Sequence, residues 1–496
     1  MIKKKYKSYF LTILFGITLL ISSLYVLCNF THNFLSYYVK TEDSDNNFNL
    51  KSSSSWVLEF IHINDNWTET ALQPWCSGSG SDTDPYVIEN VKIDGENSGD
   101  CVLIENTEEY FVIRNCTLYN SGYDVDFPFR AGLRLYNVDN GLIINNNFSY
   151  NGQYGFSSMG SSFITIEENI INNNEANGIY YNSGLNLSFS RNIVNDNLLN
   201  GMGLAYIHDS IIKENNINNN GGFGISTYGC NDNNFSKNII SENHNHGISL
   251  YLSKRNYLIE NQVDENLENG ILLTINSENN IILKNIFNRN SLNGMMIERS
   301  RANFISENIV KENQGKGVYV FDSDDNVLFR NEVQLNEYDG IGLNRSINNN
   351  IFENILNKND DNGLFLYLSD NNFITDNNMN NNTDNGVFLI DSNYNIAIKN
   401  IVNNNQDYGL YLSNTTYNQI IENTFINNLD CIKEELSYGN AFFNNTCSDI
   451  PISDDHDGEE DGTLLDTIMD NIEWVIIGVL GFLVFILLIA LIKKKR

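Results

Sequence analysis

The residues that could do chemistry are paired acids, two histidines and a recurring set of aromatics. Asp324-Asp325 and Asp360-Asp361 are adjacent carboxylates, the kind of pair that can share general-acid and general-base work. Neither pair has a matching histidine or arginine, so no catalytic residue is assigned. His244 and His246 flank Asn245, but a soft-metal site wants clustered Met, Cys and His. The cysteines here are scattered and the methionines sit mostly in apolar positions, so no metal ligand is assigned. The aromatics are the best positive sign. Phe365, Phe388 and Tyr411 recur every 23 residues, with Tyr319, Phe321 and Tyr367 nearby and Tyr228 and Tyr251 earlier. Rings in a row can pack on sugars or on a partner's apolar surface, and Tyr319, Phe321, Phe365, Tyr367, Phe388 and Tyr411 form the candidate ligand-binding face. Strand propensity alone would produce the same row.

What must position these residues is a repeat. Gly132, Gly155, Gly178, Gly201, Gly224, Gly247 and Gly270 are 23 residues apart, and after one step of 24 the series resumes from Gly294 to Gly409. Asparagine stands nine residues before each glycine from Gly155 onward, and a second asparagine column lies five residues after the first. The two columns extend back to Asn115 and Asn120, and a third runs from Asn233 to Asn418. Apolar columns alternate with these, as in Phe148, Ile171, Val194 and Ile217. A period this short with three period-2 segments per repeat, and no window for an amphipathic helix, describes a solenoid of stacked strands. The fold class is all-β: a right-handed parallel β-helix of about 23 residues per coil. Leucines are not placed for a leucine-rich repeat, and no six-residue period indicates a left-handed hexapeptide helix.

Stacked amides would satisfy one another along the axis, and asparagine and glycine at corners would take left-handed backbone angles. Before the first asparagine column the charge alternates coil by coil, from Glu168, Arg191 and Glu214 to Arg330 and Glu353, and only Asp376 interrupts it before Lys399 and Glu422. Opposite charges one coil apart attract, so this column reads as a structural, salt-bridged outer face.

An apolar run at residues 10–28 follows four lysines and reads as a signal-anchor or signal peptide within residues 1–35. A linker and N-terminal cap follow at 36–86, with 56–63 as a strand and Trp67 and Trp75 closing the end. The β-helix is expected over 87–430, interrupted by an inserted loop near 123–130, then a C-terminal cap at 431–447. An acidic stalk at 448–473 leads to a transmembrane helix at 474–492 and a basic tail at 493–496. Basic residues flank the outer end of each span, which places both chain ends in the cytoplasm and the repeat outside the cell membrane.

The chain carries 62 acidic against 30 basic residues, a net charge of −32. That balance repels nucleic acid and anionic lipid, so the expected partners are the membrane and glycans or surface proteins. No cofactor is expected; the acidic run 454–461 could hold Ca2+ loosely but lacks EF-hand spacing. Six cysteines lie outside the apolar runs, which permits fifteen pairings outside the cytoplasm, and Cys431 with Cys447 is the pair expected.

The motif of Asn308-Ile309-Val310 and Gly363-Leu364-Phe365-Leu366 resembles the right-handed parallel β-helix repeat superfamily. Asp84-Pro85-Tyr86 with Ile93-Asp94-Gly95 resembles the entry coil of NosD-like envelope proteins. The resemblance implies pectate lyases, polygalacturonases, mannuronan epimerases and copper-protein accessories as relatives. A polygalacturonase-like site would need Asn-Thr-Asp, Asp-Asp, Gly-His-Gly and Arg-Ile-Lys motifs. Asn382-Thr383-Asp384 is present, but His246-Gly247 lacks its leading glycine and no Arg-Ile-Lys occurs. The expected function is a membrane-anchored, outward-facing β-helix that binds glycan or protein without catalysis. The alternatives are a polysaccharide lyase, hydrolase or epimerase, and a NosD-like copper accessory.

Overall fold

A computed structural model describes residues 56–123 and 129–448. Every strand pair in the repeat is parallel, and each strand pairs with its own copy one coil on, as Phe365 with Phe388 and Phe388 with Tyr411. One face is a 16-stranded sheet, one strand per coil, from Ile61–Asn64 to Asp430–Glu435. The second runs from Tyr86–Glu89 through Phe111–Arg114 and Gly141–Ile144 to Ala441–Phe443. The third is shorter, with single bridges such as Asn147 to Ile170 and Asn378 to Ile401 continuing it where its strands break. Side chains alternate along each strand, so Val387 and Leu389 are buried while Phe388 is only half-buried. The inward residues of all coils merge into one continuous apolar column. The apolar positions two residues after the first asparagine column, from Phe148 to Phe425, all lie in it.

The amide ladders explain why asparagine is buried so often. In each rung the side-chain oxygen accepts from the backbone N–H and the side-chain NH2 of the preceding coil's asparagine, as Asn192 Oδ1 does from Asn169 at 3.0 Å each. The other amide hydrogen goes to a carbonyl one coil back, Asn169 Nδ2 to Ile143 O at 2.9 Å. Every polar atom of the rung is thus paired, which removes a burial cost of about 1–3 kcal/mol per group. The third ladder continues to Asn440. Three residues before it stands a serine ladder that the sequence reading passed over, from Ser253 through Ser277 and Ser300 to Ser392, each backbone N–H donating to the next hydroxyl.

The corners differ from expectation. Left-handed angles fall on the residue before each rung asparagine, such as Glu168, Arg191, Glu214 and Lys237, not on the asparagine itself. The recurring glycines have ordinary φ; what they supply is room. A Cβ on Gly294 would lie 2.2 Å from Val310 Cγ1, 2.8 Å from Asn313 Nδ2 and 2.9 Å from Gly317 O. The glycine lets the backbone pass over the rung amide. The charged corner residues do pair across coils, Arg191 with Glu168 at 2.9 Å and Glu214 at 3.8 Å, and Arg330 with Glu353 at 2.6 Å. These pairs are solvent-exposed and individually worth little.

The first coils also shift register. Asn146 is met by Cys116 and Asn151 by Ser121, each 30 residues away, so Asn115 and Asn120 are left-handed corner residues and not rungs. Ile113 points inward for the same reason. The N-terminal end is a coil: Trp56–Leu58 pairs with Val91–Asp94 and Ile61–Asn64 with Val102–Thr107. Trp67, on a one-turn helix, closes it by stacking on Tyr86 at 4.9 Å and Phe111 at 5.5 Å. The expected C-terminal cap at 431–447 is one more coil, with strands Asp430–Glu435, Ala441–Phe443 and Thr446–Ser448 in parallel register. Cys431 and Cys447 are joined by a disulfide with Cα atoms 5.8 Å apart. Cys76, Cys101, Cys116 and Cys230 are free and buried. Among the described residues no helix is long and apolar enough to cross a membrane. The spans expected at 10–28 and 474–492, the stalk and most of the inserted loop lie outside the described residues.

Candidate functional site

A groove of about 330 Å³ opens on the coils around Gly363, Gly386 and Gly409. Two columns build it. One comes from the middle of the long sheet, where Tyr319, Gly342, Phe365, Phe388, Tyr411 and Lys433 stand in register on successive coils. The other lies two residues before the recurring glycines: Asp361, Asp384 and Asp407, each backbone N–H donating to the carbonyl of the one before at 3.2 and 3.1 Å. Their backbones therefore repeat at the coil spacing, about 4.8 Å, and the Asp361 and Asp384 carboxyls come within hydrogen-bond reach of each other. Asn362, Asn385 and Tyr408 form the floor between the columns.

The ring column is closed by cations at both ends. Phe388 and Tyr411 stack with centroids 4.6 Å apart and planes 5° from parallel, and Phe365 lies 5.5 Å from Phe388. Lys316 Nζ is 5.4 Å from the Phe365 ring and also lies near Tyr319 and Tyr338. Lys433 Nζ is 4.6 Å from Tyr411 and 4.9 Å from Tyr408. Such ammonium–ring contacts are favourable where water is partly excluded. Because Phe388 and Tyr411 turn their faces to each other, they offer the groove ring edges more than open platforms.

The electrostatics are uneven. Asp339, with its side chain 1% exposed, is paired with Lys316 and accepts from Asn362 Nδ2 at 2.8 Å. Asp361 accepts the other Asn362 amide hydrogen at 2.8 Å. Burial, then the charges of Asp339 and Asp384 and a hydrogen bond shared with Asp384, push the Asp361 carboxyl up to about 7. Asp384 and Asp407 form no ion pair among the described residues, and neither does Asp361.

Of the six aromatics singled out by sequence, Phe365, Phe388 and Tyr411 line the groove. Tyr319 is separated from them by Gly342 and meets the site only through Lys316. Phe321 and Tyr367 belong to the next outward column, with Asn344 between them, and lie outside the groove; Arg345 covers Phe321 at 5.0 Å. Tyr228 and Tyr251 stack on each other at 5.3 Å, far from the groove in sequence. Asp361, one of the paired acids, is in the site, whereas Asp324 and Asp325 are not among its lining residues. Sequence reasoning missed Asp339, Asp384 and Asp407 as a set, although the 23-residue spacing of Asp361, Asp384 and Asp407 was a readable signal.

His246 occupies an amide position. Its Nδ1 accepts from Asn269 N–H at 3.1 Å, as Asn269 Oδ1 does from Asn293 at 3.0 Å. Burial holds the ring down at about 4, so it is neutral at pH 7. It is a ladder rung. Among the described residues no three of His, Cys, Asp and Glu are grouped to hold a metal ion.

The family model described as right handed beta helix region matches residues 50–210 and 199–334, and the chain belongs to this family. Its helix is right-handed. The model described as periplasmic copper-binding protein (NosD) matches residues 356–456, which include most of the groove. No curated protein matches the sequence. Among solved structures, the chain is similar to the A-module of mannuronan C-5 epimerase AlgE6 of Azotobacter vinelandii, with 14% identity over 74% of this chain and 89% of that one, TM-score 0.38. It is also similar to DFA-IIIase of Arthrobacter chlorophenolicus A6 in complex with GF2, with 10% identity over 56% and 80%, TM-score 0.39.

Proposed function

We propose that the groove binds a carbohydrate chain lying along the helix axis, on a β-helix held outside the cell and tethered to its membrane. One observation carries the reading: apolar ring edges and carboxylate acceptors recur side by side on three successive coils, at Phe365 with Asp361, Phe388 with Asp384 and Tyr411 with Asp407. A ligand with a repeating unit can use the same pair of contacts more than once, which a single small molecule cannot. Sugar hydroxyls donate to carboxylates and to the oxygen of amide side chains, while ring C–H groups pack on aromatic edges. The test is binding of the detergent-solubilised full chain to an oligosaccharide array, beside Phe388→Ala. Retention by the native chain and loss in the variant supports the reading; no binding by either removes it.

A second reading rests on Asp361. A carboxyl held protonated to about pH 7 beside a second carboxylate is the arrangement of a general acid next to a base. Incubating bound oligosaccharides with the native chain and with Asp361→Asn separates the two: shortened or unsaturated products from the native chain alone make the groove catalytic, and intact sugar leaves it a binding site.

A further inference from the structure

We propose that the sugar chain this groove takes bears free amino groups, with its ammonium groups seated along Asp361, Asp384 and Asp407; this rests on the carbohydrate reading above. At one end the Lys316 ammonium sits on Asp339 beside Phe365, and at the other the Lys433 ammonium sits over Tyr408 and Tyr411. Both ends of the ring column are thus filled by the chain's own alkylammonium groups. The stretch between them has the same composition, carboxylate beside aromatic, and forms no ion pair among the described residues.

Charge selects the same class. The Asp384 and Asp407 carboxylates, which form no ion pair among the described residues, on a chain of net charge −32, repel a uronate or sulfated sugar and attract a cationic one. Burial and the charges of Asp339 and Asp384 favour the protonated form of Asp361, and an ammonium ion in the row offsets the same charges with a favourable pair.

Spacing favours a sugar over a lysine-bearing peptide. In an extended peptide, side chains on one face are two residues apart, about 6.6 Å, which does not match the coil spacing of about 4.8 Å. Linked pyranose rings advance by about one coil per ring, so their amines fall at the coil spacing or a multiple of it.

The experiment compares three probes on the detergent-solubilised full chain by calorimetry: an oligomer of N-acetylglucosamine, the same oligomer deacetylated, and an oligolysine of equal charge. The deacetylated sugar should bind at least about tenfold more tightly than the acetylated one. Asp384→Asn and Asp407→Asn should each erase most of that preference. Both variants are near-isosteric, and a melting temperature no lower than that of the native chain shows that they fold. Equal affinity for the two sugars overturns the amine proposal and leaves carbohydrate binding standing. Oligolysine binding as tightly as the deacetylated sugar overturns it too, since register then plays no part. Failure of all three probes, together with a blank array, removes both readings.

Discussion

The side chain of Lys316 runs through the space that Gly342 leaves empty. A Cβ on Gly342 would lie 2.9 Å from Lys316 Cδ and 3.3 Å from Cε. Gly342 interrupts the outward ring column between Tyr319 and Phe365, and the gap is what lets the lysine cross to Asp339 and cap the Phe365 ring. The groove therefore begins where it does because one side chain is missing.

The Lys316–Asp339 pair is expected to matter mainly through what is left when it breaks. Lys316→Met strands a carboxylate whose side chain is 1% exposed, and the loss should be about 3 kcal/mol in denaturant unfolding. Asp339 occupies the position held by Asn362 and Asn385 on the next coils. Lys316→Met combined with Asp339→Asn should therefore recover most of the loss. Loss that persists in the double variant would show that lysine packing on the rings, not charge, was the term that counted.

The inner ladder makes a sharper prediction. Asn308 Oδ1 accepts from Asn285 N and Nδ2, at 2.9 and 3.0 Å, and its own Nδ2 donates to Ile282 O and Asn331 Oδ1. Asn308→Ala should cost about 3 kcal/mol or more, because several buried groups on adjacent coils lose partners at once. Asn308→Asp keeps the acceptor but turns a second oxygen toward two others, so it should be no better. Chemical denaturation of both variants checks this, and a loss below about 1 kcal/mol in either would mean that the rungs are slack.

How much of this was legible beforehand follows from how often each feature repeats. The asparagine and glycine columns recur on a dozen coils, and the coil and its inward residues could be read from them. What glycine does there could not, because room for a rung amide and a left-handed turn ask for the same residue; only the contacts of Gly294 separate them. Asn115 was misplaced by one because an insertion of unknown phase hides which residue meets Asn146. The aromatics Phe365, Phe388 and Tyr411 were visible as a row, yet the acids opposite them were not. Asp361, Asp384 and Asp407 repeat only three times, in a chain with 62 acidic residues, and nothing in spacing alone marks them as facing those rings.

His246 should give the fold an acid limit. The ring titrates at about 4 in the folded chain, against 6.5 for an ordinary histidine, so the folded state disfavours the proton that the unfolded chain takes up. Its contribution is whole above about pH 6.5 and is lost as pH falls through 4. His246→Asn replaces the ring by the amide used on neighbouring coils. Stability measured between pH 7 and pH 4 should then fall by about 2 kcal/mol less than in the native chain. An unchanged acid slope would show that the ring is not the group responsible.

Asp361 works in the opposite sense. Its carboxyl stands at about 7 in the folded chain against 3.8 for the ordinary group, so the folded state holds a proton that the unfolded chain releases. Stability from this site therefore declines as pH rises from about 4 to about 7, and the full penalty is present above that. Asp361→Asn has no charge to repel Asp339 and Asp384. It should raise the melting temperature at pH 8, by the equivalent of about 1 kcal/mol or more, and leave it nearly unchanged at pH 4. Melting curves of the native and variant chains at the two pH values decide it, and equal shifts at both would assign the effect to packing. A gain confined to high pH would mean that the native chain bears the cost of holding a partly buried carboxylate beside Asp339 and Asp384.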